Sequence, residues 1–105
     1  MRCVPEVVEV ADGRAPEPGD AAAFDVRGER VAIANLGGVL YAFGDLCPHR
    51  QCSLADGVLE ETVVTCPCHG SRFDVTTGAR LRGPAVRGIR VYPVRLEGGT
   101  LQVEV

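Results

Sequence analysis

The chain has no lysine and no tryptophan, a single methionine, and five aromatic residues in 105 positions. It also lacks a long apolar run. No segment approaches the ~20 apolar residues that a membrane-spanning helix needs. Met1 to Val10 holds two acids and a proline instead of the apolar core of a secretion signal. The expectation is therefore a cytoplasmic chain with no membrane partner. Positive charge is not in excess either. The net charge is −3, which argues against a nucleic-acid partner, because such proteins carry a basic patch or stripe.

What is present suits a small β domain. The hydrophobic fraction is 46% and the charged fraction 24%, as in ordinary soluble globular proteins. Residues 1–105 are enough for one domain, which would bury roughly two thirds of the surface of its unfolded chain. Valine is abundant and favours strands. Thirteen glycines and seven prolines punctuate the sequence almost throughout. Charge is uneven: residues 1–46 carry four arginines and eight acids, and residues 47–105 carry seven arginines and six acids.

The pattern reads as short strands between glycine-rich turns, with no convincing helix. Strands are expected at Val4 to Val10, Ala22 to Val26, Arg30 to Leu36 and Val39 to Phe43. Gly37-Gly38 supplies the positive φ of a tight hairpin turn. Ser53 to Glu61 reads as loop or a brief turn. Val63 to Thr65 and Arg72 to Val75 are further strands, followed by a turn at Thr76 to Gly78 and a return through Arg80 and Leu81. Ile89 to Leu96 and Thr100 to Val105 form a final hairpin around Gly98-Gly99. Its last strand alternates, with Leu101, Val103 and Val105 inward and Gln102 and Glu104 outward. The fold class is all-β, an antiparallel sandwich or barrel.

Two stretches carry chemistry: Cys47-Pro48-His49 and Cys66-Pro67-Cys68-His69. Each offers one thiolate and one imidazole, and the chain's only two histidines lie in them. Two thiolates plus two imidazoles make up the ligand set of a Rieske centre, a [2Fe-2S] cluster with histidines on one iron. Other assignments stay open from the residues alone. Four such ligands suit a structural zinc ion, although zinc spacing usually pairs Cys with Cys and His with His. Cys47 and Cys52 echo the start of a plant-type ferredoxin loop, but the Cys-x₂-Cys that should follow is missing. A catalytic Cys-His pair would not need the duplicated pattern.

Beyond these four residues, Cys47 to Cys52 resembles the first cluster-binding loop of Rieske proteins. Cys66 to Asp74 resembles the second, and Gly83-Pro84-Ala85 resembles the loop that covers the cluster from a third side. The resemblance spans about residues 40 to 90 closely. It implies stacked antiparallel sheets with a small cluster-binding subdomain at about residues 44–84. Cys47 and Cys66 would hold the inner iron of one cluster per chain, and His49 and His69 the outer iron at an exposed tip. Exchanging two anionic ligands for neutral ones raises the potential from about −400 mV to roughly −150 to +300 mV.

The resemblance extends to the cluster's surroundings. Respiratory-type Rieske proteins carry a loop-to-loop disulfide at the positions of Cys52 and Cys68. That pairing is implied here, with two reduced, packed thiols as the alternative. Ser71 resembles the serine that hydrogen-bonds a bridging sulfide in high-potential members. Phe73 stands where those members often have tyrosine, so an intermediate potential is expected. Gly70 would permit the turn after His69, and Pro84 would shield the cluster. Gly44 and Gly57 would ease loop entry and exit. Arg50 and Arg72 flank the motifs, either as solvated surface or as guides to an acidic partner face. Cys3 reads as a bystander.

The function implied is that of a monomeric one-electron carrier, itself not an enzyme. It would take electrons from a flavin-dependent reductase and pass them to a terminal oxygenase. The alternative is a small Rieske subunit of a larger oxidoreductase, nitrite-reductase-like or arsenite-oxidase-like.

Overall fold

A computed structural model describes residues 7–10, 15–49 and 51–104. Cys3, Arg50, Val105 and the start of the expected first strand lie outside the described residues. Among the described residues eleven strands form three antiparallel sheets. The first has the order β1 (Val7–Glu9), β11 (Thr100–Glu104), β10 (Val94–Glu97). The second runs β2 (Ala21–Val26), β3 (Glu29–Leu36), β4 (Val39–Gly44), β9 (Val91–Tyr92). The third runs β5 (Val58–Glu60), β6 (Val63–Thr65), β7 (Arg72–Asp74), β8 (Arg80–Arg82).

The β2–β3–β4 meander is closed by two tight turns. Gly37 and Gly38 both take positive φ, as expected. At the other turn Arg27 shares that conformation with Gly28, and the Asp25 carboxylate accepts the Gly28 N–H at 2.8 Å. Strand β3 is buried on both faces from Val31 to Ala34. Period-2 alternation sends its side chains into two different cores. Ala32 and Ala34 join Phe43, Leu54, Val64, Phe73 and both Cys47 and Cys66. Val31 and Ile33 join Val10, Val26, Leu101 and Val103. One apolar core thus contains the two motif cysteines, while the other holds the distal sheet in place.

The structure corrects the sequence reading in two places. Ser53 to Glu61, expected as loop or a brief turn, has the turn but also a strand. It contains one turn of 3-10 helix, Leu54–Asp56, and then strand β5. Ile89 to Leu96 is not one strand. Pro93, which has no N–H to give a ladder, separates β9 of the second sheet from β10 of the first. Among the described residues no helix is long and apolar enough to cross a membrane.

Candidate metal centre

The two motifs lie on loops with the same hydrogen-bond pattern. In the first, the Cys47 N–H donates to the Cys52 carbonyl at 3.0 Å, and the Gln51 N–H donates back to the Cys47 carbonyl at 2.7 Å. In the second, the Cys66 N–H donates to the Ser71 carbonyl at 2.8 Å, and the Gly70 N–H returns to the Cys66 carbonyl at 3.2 Å. The fifth residue of each loop has positive φ, 59° at Gln51 and 79° at Gly70. Glycine takes that conformation without steric cost; glutamine does not. Each loop therefore presents a cysteine at its base and a histidine two or three residues later.

The first loop is braced by groups that the motif did not reveal. Asp45 is fully buried at the end of β4. Its carboxylate accepts the Ser53 hydroxyl at 2.8 Å and the Ala55 N–H at 2.9 Å, and lies 3.4 Å from Arg30 Nε. Its backbone accepts the Leu54 N–H at 2.7 Å and donates to the Arg30 carbonyl at 3.0 Å. A buried carboxylate is tolerated when its lone pairs are satisfied in this way. Only the acid two residues ahead of Cys47 and the serine one after Cys52 hinted at this brace.

The second loop leans on the Pro84 segment. Ser71 is fully buried, and its Oγ accepts the Ala85 N–H at 2.9 Å. Phe73 is fully buried beside it in the core that contains both cysteines. Pro84 itself is exposed. Gly57 works differently from expectation. Its φ is −86°, and a Cβ there would run into the Thr65 carbonyl just before Cys66. It serves close approach of backbones rather than loop exit. Asp74 accepts the Thr76 hydroxyl at 2.6 Å and the Thr76 N–H at 2.9 Å, which holds its carboxyl below the usual carboxylate range.

At the tip the two loops meet. The rings of His49, half-buried, and His69, exposed, stand 5.0 Å apart between centres and nearly perpendicular at 84°. Two imidazoles bound through nitrogen at about 2.1 Å to one tetrahedral metal would have ring centres roughly 5 Å apart. Cys47 and Cys66 are buried and outside the disulfide. The disulfide joins Cys52 to Cys68, with Cα atoms 6.5 Å apart. The sulfurs of Cys52, Cys66 and Cys68 all lie within 4.8 Å of one another. Two of these three are spent in the disulfide and are not thiolate donors. The remaining donors are two buried thiols and two outward imidazoles, soft ligands on the inside and neutral ones on the outside. Such a set fits an iron–sulfur group better than an all-oxygen metal site.

The fold and this donor set define the class: a small antiparallel β protein whose two loops bring two cysteines and two histidines to one candidate cluster site. A sequence model of the Rieske [2Fe-2S] domain matches residues 5–93, and the chain belongs to that family. The ferredoxin component of the naphthalene 1,2-dioxygenase system of Pseudomonas aeruginosa is 37% identical over 83% of this chain and 84% of its own length. The ferredoxin of carbazole 1,9a-dioxygenase from Nocardioides aromaticivorans IC177 superposes with a TM-score of 0.80 at 36% identity, covering 96% of this chain and 97% of that one. A ferredoxin solved in complex with its oxygenase, again of carbazole 1,9a-dioxygenase, matches at TM-score 0.78 and 30% identity, over 94% of this chain and 91% of that one.

Proposed function

We propose that Cys47, His49, Cys66 and His69 hold one [2Fe-2S] cluster, through which this chain carries single electrons from a flavin-dependent reductase to a terminal oxygenase in the cytoplasm. The observation that carries the reading is the pairing of two equivalent loops, which bring two buried thiols to one core and two imidazoles to one exposed tip. When bound, the cluster would supply a one-electron couple at a potential above that of all-cysteine ferredoxins. The chain's own residues do the rest. Asp45 and the Ser53 hydroxyl fix the first loop, Ser71 fixes the second against Ala85, and the disulfide clamps the loops together. The exposed histidine edge brings a partner close without opening the core. The oxygenase is favoured as acceptor because relatives covering most of the chain are named as ferredoxin components of dioxygenase systems.

The test is low-temperature EPR of the dithionite-reduced protein, with iron and zinc measured on the same sample. About two irons per chain and the rhombic signal of a mixed histidine–cysteine cluster are expected. One zinc in a colourless, EPR-silent protein would replace the carrier with a structural zinc domain.

A further inference from the structure

The molecule is net anionic, but its charges are sorted along the chain. Residues 62–95 hold six arginines and one acid, Asp74; the remainder holds five arginines and thirteen acids. The arginine-rich stretch builds β6 to β10, the second loop and the Pro84 segment. Arg72 and Arg82 lie directly opposite each other on β7 and β8. Like charges placed so are destabilising, and no ion pair among the described residues relieves Arg72, Arg80, Arg82 or Arg87.

Beside the tip, two of these arginines, Arg87 and Arg90, line a groove of about 650 Å³. Leu46 and Pro48 are among its apolar lining residues, with Ile89 and Tyr92, and Arg30, Arg87 and Arg90 line it together with one acid, Glu29. Leu46 is 43% exposed despite being leucine. Arg30 is held by Asp45 and Arg90 stands 3.7 Å from Glu29, so Arg87 is the groove's uncommitted cation. Pro48 lies between Cys47 and His49, which puts any occupant one residue from two of the proposed ligands.

We propose that this groove docks an acidic face of the redox partner, with an apolar side chain against Leu46 and Pro48 and a flanking carboxylate on Arg87, Arg90 adding to the positive field beside it. Arginine beside exposed apolar surface is the usual chemistry of an interface anchor. Electrostatic complementarity then sets the encounter rate and orientation more than the affinity. A protein partner fits better than a polyanion, because the rest of this molecule would repel an extended negative surface. The inference rests on the carrier reading above.

The test is stopped-flow oxidation of the reduced holoprotein by hexacyanoferrate(III), which takes one electron to become hexacyanoferrate(II). The rate should fall about fivefold or more as salt screens the attraction, against the sign set by the net charge. R87E/R90E should flatten or reverse that dependence, while R95E, on β10, should not. A rate that rises with salt in the parent protein, or an unchanged slope in R87E/R90E, would overturn the groove. So would binding to duplex DNA or to phosphatidylserine vesicles under the same conditions. Iron content and the EPR signal of each sample separate the two readings: an intact cluster with the wrong salt slope sinks only the docking groove, and a colourless protein sinks the carrier.

Discussion

Ser71 is a polar residue with no solvent contact, and its oxygen already accepts the Ala85 N–H. A hydroxyl that accepts still has one proton to donate. Directed at a cluster sulfur, that proton would stabilise the reduced, more negative state. Ser71→Ala is therefore expected to lower the reduction potential in a redox titration. It should also cost about 1–3 kcal/mol in denaturant unfolding, because the Ala85 N–H is left unpaired. Phe73→Tyr adds a donor in the same core and should raise the potential. Titrations in which neither variant shifts would remove both residues from the tuning of the cluster. Asp45 acts by position. Asp45→Ala strips the Ser53 hydroxyl, the Ala55 N–H and Arg30 of one common acceptor. The expected loss is about 3 kcal/mol. Asp45→Asn, which keeps one acceptor oxygen, should lose less in the same titration.

The turn after β7 shows how an element's stability depends on pH. Asp74 caps it by accepting first from the Thr76 hydroxyl and then from the Thr76 N–H, and these bonds hold its carboxyl below the usual range. A depressed folded-state value means stability that is present above the unfolded value, about 3.9, and lost as pH falls through the folded one. Asp74→Asn should lower the melting temperature near neutral pH, and the gap from the parent protein should close in acid. A gap that is constant with pH would assign the turn's stability to packing alone. Elements of this kind were legible in the sequence where a residue type forces the backbone, as Gly37-Gly38 does, or where apolar residues alternate, as in β11. Both cysteine–histidine loops were legible for the same reason: few residue types bind metal. Strand β5 was not, because Val58-Leu59-Glu60 is too short to show a period and joins its sheet through β6. The break at Pro93 was obscured because strand-favouring residues flank it directly, Val91-Tyr92 before and Val94 after. Gln51 gave no signal, since its positive φ is imposed by the loop's hydrogen bonds and not by its side chain.

At the scale of the whole molecule, the two loops are tied together twice over. The disulfide spans 16 residues of sequence, and a cluster held by Cys47, His49, Cys66 and His69 would close nearly the same circuit. A disulfide of that span, taken alone, stabilises a fold by about 3 kcal/mol, largely by restricting the unfolded chain. Two cross-links around one loop do not add, since the second restricts a chain already restricted by the first. Replacing both Cys52 and Cys68 by serine should therefore cost the holoprotein clearly less than that figure in thermal or denaturant unfolding. The same substitution should speed cluster loss to an iron chelator, because opening either loop then needs only the metal bonds to break. A full loss of about 3 kcal/mol with unchanged release kinetics would mean that cluster and disulfide stabilise independent parts of the fold. The combination expected, a small equilibrium cost and faster release, would make the disulfide chiefly a brake on opening of the tip, where the proposed cluster would exchange electrons.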